Sequence, residues 1–220
     1  MSIHTIQVFK RFERLWHWCQ MALIFTLMFS GFNIHGAFNL ISFSDAVTLH
    51  TWAAIVLIVL WAFAIFWLFT TGQWRHYIPT GENLGKVIRF YAFDIFKGGH
   101  HPYRKTYRRK HNPLQALTYL LVKLIIFPAI WISGFAYLLI SFGVVELTGS
   151  IGLGFIALVH TIAAIAIVVF VIAHVYLLTV GDSFVAHVKP MITGYDEVEL
   201  TDEELAYLQA DEPRVLKDSA

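Results

Sequence analysis

Two histidines, His160 and His174, stand fourteen residues apart inside the apolar run Leu158–Leu178. A helix rises about 1.5 Å per residue, so the rings would lie roughly 21 Å apart along its axis. At about 100° per residue the fourteen steps fall roughly 40° short of whole turns, so both rings project from nearly one face. His17 and His50 sit in two further apolar runs. Ionisable side chains in a membrane span are costly and tend to serve function. Three chemistries compete for such a set: haem ligation, zinc binding and proton relay. Zinc needs three or four ligands within a few ångströms, which the axial split denies to all four histidines together. A relay would want intramembrane carboxylates, and the apolar runs hold almost none. Paired imidazoles suit the axial positions of a b-type haem, which they hold six-coordinate and bias toward electron transfer.

The elements that must position these rings are membrane helices. The chain of 220 residues is 57% hydrophobic and only 14% charged, whereas soluble domains carry about a quarter charged residues. Four runs reach the roughly 20 residues that cross a hydrocarbon core. They cover about 15–35, 46–70, 115–140 and 154–180. Ser44 is the expected N-cap of the second run, and Pro128 should kink the third. The single cysteine, Cys19, excludes an intrachain disulfide, a cysteine-based zinc or iron–sulfur site and a covalent c-type haem. The first run follows charged residues and has no small-residue cleavage site, so it is expected to remain as an anchor.

Charge orients the spans. Nine of the sixteen Lys and Arg residues lie in 71–114, and Lys10, Arg11 and Arg14 precede the first span. The segments 36–45 and 141–153 contain neither Lys nor Arg. The positive-inside rule then makes both termini and the 71–114 segment cytoplasmic. Within that segment, Asn83–Lys97 places Leu84, Val87, Ile88, Tyr91 and Ile95 on one face, the pattern of an interfacial amphipathic helix. Gly98–Tyr103 reads as a turn. Thr201 and Glu204 form a capping-box pattern that opens a short soluble helix over 202–210. No internal repeat is evident. The expected class is all-α: a four-helix membrane bundle over 1–190, with an interfacial helix, followed by an acidic cytoplasmic tail over 191–220.

Orientation gives each histidine a depth. His17 and His174 fall on the inner side, His50 and His160 on the outer. The expected pairs are His17/His174 and His50/His160. A single buried histidine is commonly a hydrogen-bonded packing residue, but four in two depth-matched pairs favour two bis-histidine haems. His35 is a competitor of His50 for the outer pair, although "NIHG" (Asn33–Gly36) reads as the end of the first span. Arg14, three residues before His17, shares its face and is a candidate partner of a haem propionate. Arg11 reads more simply as a positive-inside anchor. His4, His76, His100, His101, His111 and His187 read as solvated.

The stretch "RLWHW" (Arg14–Trp18), His50 at the head of the second span and the His160/His174 pair resemble the membrane cytochrome b subunits of respiratory formate dehydrogenases. Related subunits serve thiosulfate reductases and nickel–iron hydrogenases. The resemblance covers about 8–190 and implies the same haem pairing. It also implies a quinone, menaquinone or ubiquinone, bound beside the inner haem where "KHNPLQ" (Lys110–Gln115) opens the third span. Asn112 and Gln115 fall on the polar quinone-contacting positions; Leu114 stands where the formate dehydrogenase members have Gly. "HNP" also reads as a helix entry, with Asn112 as N-cap and Pro113 first in the helix. The implied setting is a bacterial inner membrane. The implied partners are lipid, an outer-side iron–sulfur or multihaem subunit, and a catalytic subunit of formate dehydrogenase, thiosulfate or polysulfide reductase, or hydrogenase type. Nucleic acid is not among them. Two other classes remain: a haem-free anchor subunit and a proton-coupled transporter.

Overall fold

The computed structural model describes residues 2–79, 83–94, 112–144, 150–179 and 183–217. Among these, four helical stretches are long and apolar enough to cross a membrane: Arg11–Ile34, Phe43–Thr70, Pro113–Ser141 and Gly152–Leu177. The expected spans exist, with ends displaced by a few residues. Their flanks carry large exposed apolar side chains, such as Phe63, Phe66 and Phe69 at 62–68% exposure, as lipid contact requires. The described residues fall into two compact units.

The first unit contains strand β1 (Ser2–Gln7), helices α1 (Arg11–Ile34), α2 (Phe43–Thr70), α7 (Phe184–Thr193) and α8 (Asp202–Asp211), and strand β2 (Tyr195–Leu200). α1 and α2 form an antiparallel hairpin. Phe12, near the start of α1, meets Trp67, near the end of α2, with centroids 5.2 Å apart. The turn between them is held by Asn33, which is buried. Its Nδ2 donates to the Ile41 carbonyl at 3.0 Å, and its Oδ1 accepts from the amides of Leu40 (3.0 Å) and Ile41 (3.3 Å). The N-cap of α2 is Ser42 rather than the expected Ser44. Ser42 has extended backbone, and its Oγ accepts from the Asp45 amide at 3.1 Å; Ser44 is already inside the first turn.

β1 pairs antiparallel with β2, from Ser2 opposite Leu200 to Gln7 opposite Tyr195. Ile6, Val198, Leu200, Leu208 and Val215 form a small buried core beneath this ribbon. α8 opens with the expected capping box, in which Thr201 Oγ1 accepts from the Glu204 amide at 3.2 Å and Glu204 Oε2 from the Thr201 amide at 3.0 Å. The helical class expected from the sequence therefore stands, with a two-stranded ribbon added, whose second strand alternates Glu197 and Glu199 with buried Val198 and Leu200.

The second unit contains α3 (Leu84–Ala92), α4 (Pro113–Leu121), a π turn (Val122–Ile126), α5 (Phe127–Ser141) and α6 (Ser150–Leu177). α3 is shorter than the expected Asn83–Lys97, because Phe93 leaves helical backbone (φ −138°). It buries Val87 and Phe90, while Ile88, expected on the face that lies on the membrane surface, is exposed. The expected break at Pro128 takes the form of a π turn just before it, in which the Phe127 amide bonds the Val122 carbonyl five residues back. Proline has no amide to donate and its ring crowds the carbonyl four residues earlier, and the wider turn relieves both. The expected turn at Gly98–Tyr103 lies outside the described residues.

Candidate functional site: histidines on paired helices

In the first unit His50, in the second turn of α2, faces Ser30 of α1. Ser30 Oγ lies 3.0 Å from His50 Nδ1. The same oxygen lies 2.8 Å from the Thr26 carbonyl and 3.2 Å from the Leu27 carbonyl. A serine has one hydroxyl hydrogen, and carbonyls only accept, so that hydrogen goes to the helix backbone. Ser30 Oγ must then accept from the ring. His50 Nδ1 then carries the proton, which makes Nε2 the unprotonated nitrogen of the ring.

The second unit repeats the arrangement. Ser133 Oγ of α5 lies 2.9 Å from His160 Nδ1 of α6. It also lies 2.7 Å from the Ala129 carbonyl and 3.1 Å from the Ile130 carbonyl. His160 takes the same tautomer for the same reason. Both serines are followed by glycine, and both glycines lie under the ring. A Cβ on Gly31 would stand 3.6 Å from His50 Cε1, and one on Gly134 would stand 3.5 Å from His160 Cε1. Each imidazole thus lies against bare helix backbone. Tyr137 adds an edge contact to His160, with centroids 5.9 Å apart.

This duplication escaped the sequence reading, yet it has a signature there: the tripeptide Ser-Gly-Phe occurs at Ser30–Phe32 and again at Ser133–Phe135. The serines pair with histidines 20 and 27 residues onward, so the two halves do not align at one period.

The other two candidate ligands have aromatic surroundings. The ring of His17 meets the edge of Trp18 at 5.3 Å between centroids. His174 stacks on Phe170 at 5.8 Å and 18°, and Phe170 in turn meets Tyr119 of α4 at 6.2 Å. His35 is placed differently: it is the exposed C-cap of α1, followed by Gly36 at φ +74°. The reading of "NIHG" as a helix end therefore stands.

Arg14 and Trp18 have a structural task that the sequence did not reveal. Arg14 Nη1 donates to the Ile192 carbonyl, and Trp18 Nε1 donates to the Met191 carbonyl at 3.0 Å. Both carbonyls belong to the last turn of α7, where intrahelical donors run out. Arg14 also lies against Gly194, whose φ is +92°. Arg14 is thus a clamp on the end of α7, one turn from His17. Asn112 is buried and precedes Pro113, the first residue of α4, as the helix-entry reading requires; Gln115 is half-buried in the first turn.

One residue passed over in the sequence stands out in the third span. Lys123 lies in the π turn, and its Nζ is 3.3 Å from the centroid of the Tyr77 ring. A lone cation within an apolar run is itself a signal, and π turns frequently mark functional sites.

The family model of prokaryotic cytochrome b561 matches residues 8–194. A relative in Escherichia coli (strain K12), named "Putative cytochrome YdhU", is 27% identical over 198 residues, covering 86% of this chain and 74% of its own. No solved structure matches the chain.

Proposed function

This chain belongs to the prokaryotic cytochrome b561 family, a family of helical membrane proteins that bind haem b, and we propose that it holds two such haems and links them to the quinone pool. The observation that carries this reading is the repeated seat of His50 and His160, each against a serine and the glycine that follows it. In each, a serine holds Nδ1, the support that metal-ligating histidines ordinarily have, so Nε2 is the nitrogen that would ligate iron. The bland alternative, a buried histidine satisfied by packing, would account for one such ring. It does not account for the same Ser-Gly seat built on two different helix pairs.

The outer haem is assigned to His50 and His160, the inner to His17 and His174. His50 is preferred to His35 because Ser30 holds His50 inside a span, whereas His35 caps a helix end in the open. When bound, the haems supply one-electron carriage at two depths, roughly 21 Å apart by the rise of α6. Arg14 would hold an inner propionate with the donors left over from the Ile192 carbonyl. Asn112 and Gln115 would contact a menaquinone or ubiquinone head group at the inner end of the third span. With the termini in the cytoplasm, as the Lys and Arg distribution favours, quinone protons would exchange with the cytoplasm. An outer-side iron–sulfur or multihaem subunit would exchange electrons with the His50/His160 side, and substrate chemistry would belong to a further catalytic subunit. Flow in either direction fits.

The test is haem stoichiometry in the purified chain from haem-replete cells. A pyridine haemochromogen assay should give two b haems per chain. His50→Ala and His160→Ala should remove one and the same haem, His17→Ala and His174→Ala the other, and His35→Ala neither. A colourless folded protein would sustain the haem-free anchor instead. Different spectral losses within a pair would overturn the pairing.

A further inference from the structure

We propose that Ser30 and Ser133 are twin positioning residues which act through His50 and His160 to hold the potential of the outer haem down. The inference rests on the bis-histidine reading above, but its readout is separate from haem binding.

Each serine oxygen stands between a helix carbonyl and an imidazole Nδ1. It donates to the Thr26 or Ala129 carbonyl (2.8 and 2.7 Å) and accepts from His50 or His160 (3.0 and 2.9 Å). A hydroxyl that already donates is a better acceptor, because hydrogen bonds in a chain polarise one another. The ring proton is drawn toward Oγ, the imidazole gains basicity, and a more basic axial ligand favours ferric over ferrous iron. Ser30 is fully buried and Ser133 nearly so, at 0% and 4% exposure, so water does not dilute either bond. Gly31 and Gly134 complete the seat: each lies beneath the ring, where an added Cβ would stand in ordinary van der Waals contact with Cε1. Two ligands of one iron, tuned in the same direction from two separate helix pairs, should move its potential additively.

The experiment is a redox titration of the purified, haem-loaded protein, followed through the b-haem absorption bands, together with electron paramagnetic resonance of the ferric state. The variants are Ser30→Ala, Ser133→Ala, the double Ala variant and the corresponding Thr substitutions. Each Ala variant removes an oxygen without adding volume. The expected result is an upward shift of one of the two midpoints, the same one in both single variants, and a larger shift in the double. The ferric signal of that haem should change with it. Thr, which retains the hydroxyl, should leave the midpoint near the parent value. Loss of that haem from the Ala variants with retention in the Thr variants would also support the assignment. Unchanged or lowered midpoints with both haems present would overturn it, as would shifts in different haems or loss of haem from Ala and Thr alike. If the histidine variants do not remove a common haem, the underlying pairing fails, and that is read from stoichiometry rather than from potential.

Discussion

His50 and His160 show how much a single oxygen can decide. A histidine in a span has two nitrogens, and which one is offered to a ligand depends on what the other meets. Here the other meets a serine whose hydrogen is already committed to its own helix. The sequence marks the histidines as unusual but not their serines, since serine in an apolar helix is unremarkable and the partners lie 20 and 27 positions away. Gly194 is a second residue whose importance lies in a contact. It closes α7 at φ +92°, its carbonyl accepts from the Val8 and Phe9 amides (2.9 and 3.1 Å), and an added Cβ would stand 2.8 Å from the Phe9 carbonyl oxygen. Left-handed backbone costs an ordinary residue roughly 1–2 kcal/mol before any clash. Gly194→Ala should therefore destabilise the chain by about 2 kcal/mol or more, measured as earlier unfolding on heating.

At the scale of elements, helix existence follows from apolar length, whereas helix ends follow from local bonding. The second span illustrates the difference. Both Ser42 and Ser44 are credible caps by type, and only backbone conformation selects Ser42. Ser42→Ala should cost about 1 kcal/mol and Ser44→Ala a few tenths, compared by thermal or denaturant unfolding in detergent. The reverse order would restore the expectation drawn from the sequence. The third span is continuous in composition but not in hydrogen bonding. Pro128 is legible as a disturbance; that it becomes a π turn over Val122–Ile126, with Lys123 within it and over the Tyr77 ring, depends on what packs beside the helix. α3 gives a milder lesson. Its amphipathic period is plain, and the residues buried within the chain are Val87 and Phe90, with the helix ending at Ala92.

For the whole molecule, the unexpected feature is the ribbon that ties residues 2–7 to 195–200. An acidic tail reads as solvated, and a short N-terminal segment reads as a lead-in to the first span. Together they bury Ile6, Val198, Leu200, Leu208 and Val215. Ile6 is fully buried, so Ile6→Asp would place an unpaired carboxylate in that small core. Limited proteolysis should then cut within 195–217 in the variant and spare the parent, while haem content is unchanged. Protection equal to the parent would mean that the ribbon does not hold the tail.

The sequence by itself determines the membrane class and the four spans, and it supplies the charge bias and the histidine spacing from which the orientation and the haem pairing are proposed. These follow from quantities that accumulate along the chain: apolar length, the count of Lys and Arg in each connecting segment, and helical phase. Tertiary structure alone decides which serines hold His50 and His160, what Arg14 and Trp18 hold, and that the two ends of the chain share a core. These depend on contacts between residues far apart in sequence, such as the 178 positions between Arg14 and Ile192, and no local pattern encodes a partner at that distance.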